Sequence, residues 1–203
     1  MSSHETTPGV FIIESTKLID EEEDRQEGKA LQAVLKLAKR PVLYRYIRTE
    51  KELKKMLIQF HGTRFRYLHL ACHGNDKEIG LTFDDIRLTR LAQIVRPFMH
   101  HRRLFISACE SAHSSLAVPL LSASKCYSVV GPANEIPFRD AVIAWASFYT
   151  LMSKQNPTAM KRAEIQETMQ RVCDLFRVSF NAFSRDGNWQ ITEKIRPRKR
   201  SET

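Results

Sequence analysis

The 203-residue chain lacks the features that mark several large classes of protein. No apolar run approaches the roughly 20 residues of a membrane-spanning helix. The N-terminal segment MSSHETTPGV has neither the basic nor the apolar region of a secretory signal. No CxxC pair occurs, which removes the usual signature of zinc ribbons and thioredoxin-like proteins. These absences predict a cytoplasmic location, where the four cysteines are free thiols rather than a disulfide framework.

Acidic residues are outnumbered, 23 against 32 Lys and Arg, which gives a formal net charge of +9. Much of the excess is local, because KIRPRKR at 194–200 is dominated by basic residues. Since the length suits one domain, we expect a single domain over residues 1–193 and a basic, disordered tail over 194–203. The alternative for the tail is recruitment of an acidic partner or nucleic acid, although aromatic residues are interleaved with basic ones only at Tyr44 and Tyr46.

Hydrophobic runs of strand length alternate with segments of helical period along most of the chain. Five runs predict strands, at 9–15, 42–47, 65–72, 103–109 and 126–131. They are apolar throughout rather than at alternate residues, which is typical of a largely parallel sheet with helices on both faces. Alternation on either side of Asp186-Gly187 predicts a C-terminal hairpin. The fold class is therefore α/β, and the functional crevice of such a sheet lies beyond the carboxyl ends of its strands.

Two reactive side chains, His73 and Cys109, stand where two of these strands end. Neighbouring strands are about 4.8 Å apart, so side chains at their ends can converge. A thiol beside an imidazole gains thiolate character and has a proton donor for a leaving amine. Gly74 permits close approach of the backbone to a substrate and leaves its N–H for an oxyanion. This placement favours a cysteine nucleophile with a histidine as its acid–base partner.

Two alternatives remain at these positions. The first is purely structural: cysteine is among the most buried residue types, so Cys109 would end a core strand and His73 would be a hydrogen-bonded core histidine. The second is a zinc site drawn from His69, Cys72, His73, Cys109 and His113. Spacing disfavours zinc, because His69 and His73 on one strand lie about 13 Å apart at roughly 3.3 Å per residue. They are too far apart to share an ion with bonds of about 2.1 Å, and we expect no metal.

Three segments together resemble the CHAT branch of the caspase-like cysteine peptidases: HLACHG (69–74), LFISACES (104–111) and GPANEIPFRDAVIAWASFYTLM (131–152). The similarity covers roughly residues 9–155 and keeps the family's order of histidine before cysteine. It departs from the caspase signature proper, in which Arg or Gln and then Gly follow Gln-Ala-Cys, because position 110 is glutamate. We therefore do not expect a strict aspartate-specific caspase.

The resemblance implies a caspase-like three-layer α/β sandwich and a cysteine endopeptidase with a His73–Cys109 dyad. It further implies that the N–H groups of Gly74 and Cys109 bind the oxyanion. In this family an acidic residue after the fifth strand helps to bind the substrate residue before the cleaved bond. Asp140 is the best match, with Glu135 near it, which would favour a basic substrate side chain.

Glu14 and Ser15, at the end of the first strand, are two further candidates for the lining of the cleft. The alternative for Asp140 is that it begins a helix and interacts with the helix N-terminus. The peptidase interpretation implies a protein substrate, no cofactor and control by a separate regulatory protein. A function from a different class remains open, that of an inactive caspase-like interaction module which binds an acidic partner or nucleic acid through its basic surface.

Overall fold

The computed structural model describes residues 6–186 and 189–198. The strands are β1 (Thr7–Glu14), β2 (Val42–Tyr46), β3 (Phe65–Ala71), β4 (His73–Gly74), β5 (Glu78–Gly80), β6 (Asp85–Arg87), β7 (Arg103–Ser107), β8 (Ser128–Pro132), β9 (Phe180–Asp186) and β10 (Trp189–Ile195). The helices are α1 (Leu18–Glu22), α2 (Glu27–Leu37), α3 (Glu50–Thr63), α4 (Leu88–Val95), α5 (Ser114–Ala123), α6 (Phe138–Gln155) and α7 (Arg162–Phe176), with a 3-10 turn at Arg96–Phe98. Within this described part of the chain, every helix is too short or too polar to span a bilayer.

Local sequence signals set the helices, as α3 illustrates. The Thr49 hydroxyl accepts the Glu52 N–H and the Glu52 carboxylate accepts the Thr49 N–H, so that two otherwise unpaired donors of the first turn are satisfied. Leu53, Leu57 and Phe60 recur at intervals of four and three residues and are buried. The helix therefore begins at its capping box and packs by one apolar stripe.

The central sheet has seven strands in the order β10-β9-β8-β7-β3-β1-β2. Strands β8, β7, β3, β1 and β2 are mutually parallel, and β9 runs antiparallel to β8 and β10. In β3 and β7, Ala71 lies opposite Ser107, so the loops that follow these strands leave the sheet side by side. A small second sheet, β4-β5-β6, follows β3 directly.

Helices cover both faces of the central sheet, each over its own hydrophobic core. Helices α3, α4 and α5 contribute to one core, and α2, α6 and α7 contribute to the other. Along β1, Phe11 and Ile13 belong to the first core, whereas Val10 and Ile12 belong to the second. Since alternate residues serve opposite cores, the stretch from Val10 to Ile13 is apolar at every position. The predicted three-layer α/β sandwich is confirmed.

The C-terminal part of the chain forms the predicted hairpin, because β9 and β10 pair in antiparallel register. The basic tail is expected from residue 194, but Lys194 and Ile195 belong to β10. Arg196 donates to a β9 carbonyl at 2.7 Å, and Arg198 forms an ion pair with Asp174 of α7 at 2.7 Å. Residues 194–198 are thus held against the domain by strand pairing and by acceptors for their guanidinium groups. Residues 199–203 of the expected tail lie outside the described residues.

Candidate active site

Cys109 lies in a tight turn directly after β7. The strand ends at Ser107, two residues before its predicted end, and a hydrogen bond from the Ser111 N–H to the Ala108 carbonyl closes the turn. Glu110 has φ = 55°, in the left-handed region that residues other than glycine rarely adopt. The turn carries the thiol out of the strand, so Cys109 is partly exposed rather than part of the core.

His73 follows β3 in a similar way and forms the two-residue strand β4 with Gly74. The His73 side chain is 48% exposed. Gly74 approaches the cysteine turn so closely that a Cβ atom there would lie 2.5 Å from the Ser111 hydroxyl oxygen. The same hydroxyl is 3.1 Å from the Asn75 carbonyl. The loops that carry the histidine and the cysteine are therefore in direct contact.

Both loops contribute to one cleft at the carboxyl edge of the sheet, with a volume of about 90 Å³. Its lining contains the two reactive side chains, His73 and Cys109, and three acidic side chains, Glu14, Asp20 and Glu27. The acidic groups come from the end of β1, from α1 and from the start of α2. Each acidic residue is less than a tenth exposed, and the guanidinium of Arg25, which also lines the cleft, offsets part of their charge at Asp20.

The carboxylate of Asp20 is in direct contact with the His73 side chain. One carboxylate oxygen lies 2.7 Å from His73 Nε2, and the other lies 3.5 Å from a guanidinium nitrogen of Arg25. The contact assigns the histidine tautomer, because an Nε2–H donated to Asp20 leaves a lone pair on Nδ1. Asp20 thus fixes both the orientation of the imidazole and the nitrogen that can accept a proton.

The surroundings of Cys109 favour the neutral form of its thiol. Burial raises the pKa of this thiol, and the carboxylates of Glu135 and Glu110 act in the same direction. The Ile136 N–H, 3.4 Å from Sγ, opposes this increase in the pKa. Because the thiolate is the nucleophilic form, a base has to remove the proton before the sulfur can attack.

Glu27 is held at the cleft by a buried chain of hydrogen bonds. One carboxylate oxygen accepts the Ser107 hydroxyl at 2.8 Å, and the other lies 3.4 Å from Nε2 of the fully buried His69. His69 Nδ1 is 2.9 Å from the Tyr149 hydroxyl. Because a carboxylate only accepts, the contact with Glu27 makes Nε2 the donor nitrogen of His69, and Nδ1 accepts the Tyr149 hydroxyl. His69 then donates from Nε2, and Glu27 receives two donors that fix its carboxylate in place.

Glu14 is the second buried acid of the cleft and is 1% exposed. It accepts the Gly28 N–H and the Tyr44 hydroxyl, both at 2.7 Å. Burial raises the pKa of Glu14 to about 7, the two hydrogen bonds oppose this change, and the Glu27 carboxylate reinforces it. Near neutral pH the group is therefore divided between its two protonation states, and a cation in the cleft would favour the carboxylate.

The raised pKa of Glu14 makes a testable contribution to stability. A carboxyl group whose pKa rises from 4.5 to about 7 on folding stabilises the fold fully below pH 4.5, and this stabilisation is lost as the pH rises through 7. The loss amounts to about 3 kcal/mol of the free energy of unfolding. We expect Glu14→Gln to become more stable relative to the wild type by about this amount between pH 4.5 and pH 8. Urea unfolding of both proteins at the two pH values measures the effect, and parallel pH profiles would contradict it.

Asp140 and Glu135, which the sequence resemblance assigned to substrate binding, are not among the residues that line the cleft. Asp140 lies in the first turn of α6, as its alternative role requires, and its carboxylate is 3.3 Å from Nε of the exposed Arg139. Glu135 is exposed in the loop before α6. Around them the cleft is lined by the apolar Ile136 and Phe138. Its acidic lining comes instead from the opposite wall.

Ser15 lines the cleft, where its hydroxyl oxygen accepts the Thr82 N–H at 3.0 Å.

The histidines weighed as zinc ligands lie in separate surroundings: His69 is in the core, His73 faces Asp20, and His113 caps α5. Across residues 6–186 and 189–198, no three His, Cys, Asp or Glu side chains are grouped so that they could hold a metal ion.

Sequence reasoning missed Asp20 and Glu27. Asp20 belongs to the acidic run DEEED at 20–24, which has the composition of a solvated surface, and Glu27 begins an amphipathic helix. Neither position carries a local signal of its role. The available hint was topological, because both residues follow β1 closely and the carboxyl end of β1 faces the expected crevice.

The architecture and the position of the site define the class of fold. A mostly parallel sheet covered by helices on both faces, with a histidine and a cysteine after two adjacent strands, is the caspase-like fold. No protein-family model matches the chain, and no curated protein sequence matches it either.

Solved structures match the fold at low sequence identity. A secreted C11 cysteine protease from Bacteroides thetaiotaomicron, iotapain, aligns with a TM-score of 0.58 and 10% identity over 88% of this chain and 66% of that one. Caspase-1 from Spodoptera frugiperda aligns with a TM-score of 0.54 and 14% identity over 84% of this chain and 78% of that one. This chain therefore spans just under two thirds of iotapain. The similarity establishes the fold, and the CHAT branch stays a prediction from the sequence motifs.

Proposed function

We propose that this protein is a cysteine endopeptidase that cleaves protein substrates after basic residues. The observation that carries the proposal is the joint placement of Cys109 and His73 in one cleft, with the buried carboxylate of Asp20 on the imidazole nitrogen Nε2. The caspase-like fold of the two cysteine protease neighbours supports it. If Cys109 and His73 were only core residues, the chain would need neither the left-handed turn at Glu110 nor the partial exposure of both side chains at one cleft.

The proposed mechanism begins with the neutral thiol. His73 Nδ1 accepts the Cys109 proton, and Sγ then attacks the substrate carbonyl carbon. Asp20 stabilises the resulting imidazolium through Nε2–H. The negative charge on the carbonyl oxygen is received by the backbone N–H groups of Gly74 and Cys109. When the carbon–nitrogen bond breaks, Nδ1–H protonates the leaving amine, and water subsequently hydrolyses the thioester.

The preference for basic residues is proposed from Glu14 and Glu27. Both carboxyl groups are less than a tenth exposed, and both line the cleft that contains the Cys109 thiol. A guanidinium or ammonium group placed between them relieves their mutual repulsion and pairs with buried charge. An acidic or neutral substrate side chain at this position would leave the carboxylates uncompensated.

Replacing Asp20 by asparagine tests its role in positioning His73. The amide can donate to Nε2 and thereby stabilise the wrong tautomer, so we expect kcat to fall by about 10²-fold or more with little change in KM. Glu23→Gln is the matched control, since it removes a neighbouring carboxylate that contacts Arg25 but not His73. Steady-state kinetics on both variants measure the effect. An unchanged kcat in Asp20→Asn, or an equal loss in Glu23→Gln, would contradict the assignment.

The proposed function is tested by incubating the purified protein with a peptide library and identifying the products by mass spectrometry. We expect Arg or Lys to precede the cleaved bond. Labelling with a peptidyl-arginine chloromethyl ketone provides a second readout, and the modification is expected on Cys109 rather than on the neighbouring Cys72. Products cut after acidic or apolar residues, or labelling that ignores the peptide sequence, would contradict the proposed specificity.

Control by a regulatory protein, which the resemblance to the CHAT branch implied, remains part of the proposal. Its test compares the cleavage rate of the purified protein with that in an extract of the source cells. We expect a higher rate in the extract that depends on Cys109. Equal rates would indicate that the domain needs no activator.

A further inference from the structure

A second groove lies at the other end of the sheet, where β3 and β7 begin. Its volume is about 410 Å³, and its lining includes Arg66, His101, Arg103, Tyr127 and Lys161. β7 alone extends for about 13 Å at roughly 3.3 Å per residue, so the groove is separate from the catalytic cleft at the other end of the strand. The proposed peptidase mechanism uses none of these side chains.

Arg103 is a partly buried guanidinium without a carboxylate partner in the described part of the chain. One terminal nitrogen donates to the Ser128 hydroxyl at 2.9 Å, and the group lies 5.2 Å from the centroid of the Tyr127 ring. Within the described residues, its remaining N–H donors have no acceptor. Burial lowers the pKa of Arg103, and the like charge of Arg66 acts in the same direction. The two guanidinium groups therefore lie close enough to repel each other.

The other basic groups of the groove form no hydrogen bond or ion pair to a carboxylate among the described residues. Arg66 donates to the Thr6 hydroxyl at 2.8 Å, to the Thr6 carbonyl at 2.7 Å and to the Thr158 carbonyl at 3.5 Å, all neutral oxygens. Lys161 is exposed. His101 uses Nδ1 in a contact of 2.8 Å with the Tyr127 hydroxyl. Two arginines and a lysine thus share one groove, and none of them forms an ion pair with a carboxylate of the described residues.

One carboxylate, that of Glu164, acts electrostatically on this cluster. It is already engaged, because it accepts the backbone N–H of Lys161 at 2.9 Å and the Asn156 side-chain amide at 3.2 Å. Its interactions with the charges of Lys161 and Arg103 are Coulombic, without a hydrogen bond to either side chain. The groove therefore keeps an excess of positive charge together with unused donors.

We infer that this groove binds a small ligand that carries linked phosphate groups. Planar guanidinium groups match the geometry of phosphate oxygens. The groove holds at least three positive charges, and the single carboxylate of Glu164 does not neutralise them. The volume lies within the range of small-ligand sites, roughly 300–1,000 Å³. Nucleic acid is the less suitable occupant, because the basic groups converge on one groove instead of tracking along a stripe, and the Tyr127 ring already faces Arg103.

Isothermal titration calorimetry with tripolyphosphate tests this inference, using the Cys109→Ala protein so that the result is independent of the proposed peptidase activity. We expect saturable binding at one site. Arg103→Gln and Lys161→Gln should each weaken it by about 10-fold or more, since each removes a charge-assisted contact. Arg139→Gln and Lys55→Gln are the matched controls, because both change exposed residues outside the groove. We expect the controls to alter affinity less than about twofold.

Two results would overturn the inference. The first is an absence of saturable tripolyphosphate binding, or a loss of affinity in the control variants equal to that in the groove variants. Either outcome would mean that the protein attracts anions only through its general positive charge. The second is tight binding of a short single-stranded RNA that tripolyphosphate does not displace, which would assign the groove to nucleic acid. If Arg103→Gln unfolds at a lower temperature, the exposed Lys161→Gln decides the outcome.

Discussion

Replacing Cys109 by alanine is expected to abolish peptide cleavage, with a loss on the order of 10⁴-fold or more. The reason is chemical: without Sγ no thioester forms, and the cleft retains only substrate binding and the oxyanion donors. The side chain is partly exposed on a turn, so its truncation removes little packing. Cleavage assays combined with thermal unfolding check both parts, and we expect the melting temperature to stay near that of the wild type.

Cys72→Ala is the matched control for this variant. Cys72 lines the same cleft, but burial raises the pKa of its thiol more strongly than that of Cys109, which disfavours the nucleophilic thiolate. We therefore expect the control to retain activity. If Cys72→Ala were inactive and Cys109→Ala active, the nucleophile would be misassigned. If both variants kept the full biological activity of the wild type, the interaction-module alternative would replace the peptidase.

Replacing Glu27 by glutamine is expected to cause the second-largest change, a loss of discrimination between a substrate with arginine and one with citrulline before the cleaved bond. Citrulline has nearly the shape of arginine and no charge. Removing one partner of a buried charge pair costs about 2–5 kcal/mol, so the ratio of the two kcat/KM values should fall by about 10²-fold. Glu14→Gln should have a smaller effect at neutral pH, because Glu14 is divided between its protonation states.

Asp140→Asn provides the control for specificity. Asp140 lies beside Arg139 and does not line the cleft, so we expect the arginine-to-citrulline ratio to stay within about threefold of the wild-type value. The ratio separates specificity from stability, because a variant that merely unfolds loses activity toward both substrates equally. If the ratio fell for Asp140→Asn but not for Glu27→Gln, Asp140 would be the specificity-determining residue, as the sequence resemblance implied.

Much of the architecture was determined by the sequence. Runs such as VFII at 10–13 and LFI at 104–106 are apolar at every position, and only a sheet that is buried on both faces places such runs in a favourable environment. Helical periodicity between these runs then dictates parallel strands joined by crossovers. The same patterns bring His73 and Cys109 to one edge of the sheet, because the residues that follow adjacent parallel strands emerge together.

The charge of the site was decided by the tertiary structure alone. Asp140, chosen by resemblance, lies at the start of α6 beside Arg139, whereas Asp20 lies in a run that has the composition of solvated surface. Asp20 and Glu27 become part of the cleft because α1 and the start of α2 fold over the end of β1, which brings residues from distant parts of the sequence together. Glu27 meets Ser107 across 80 positions of sequence, and Asp20 meets His73 across 53.

Periodicity specifies which face of an element is apolar, since that is a property of neighbouring residues. A buried carboxylate depends on desolvation and on partners that are remote in sequence. The sequence by itself therefore determined the sheet and the two strand ends, and only the packed structure decided which acids surround the thiol.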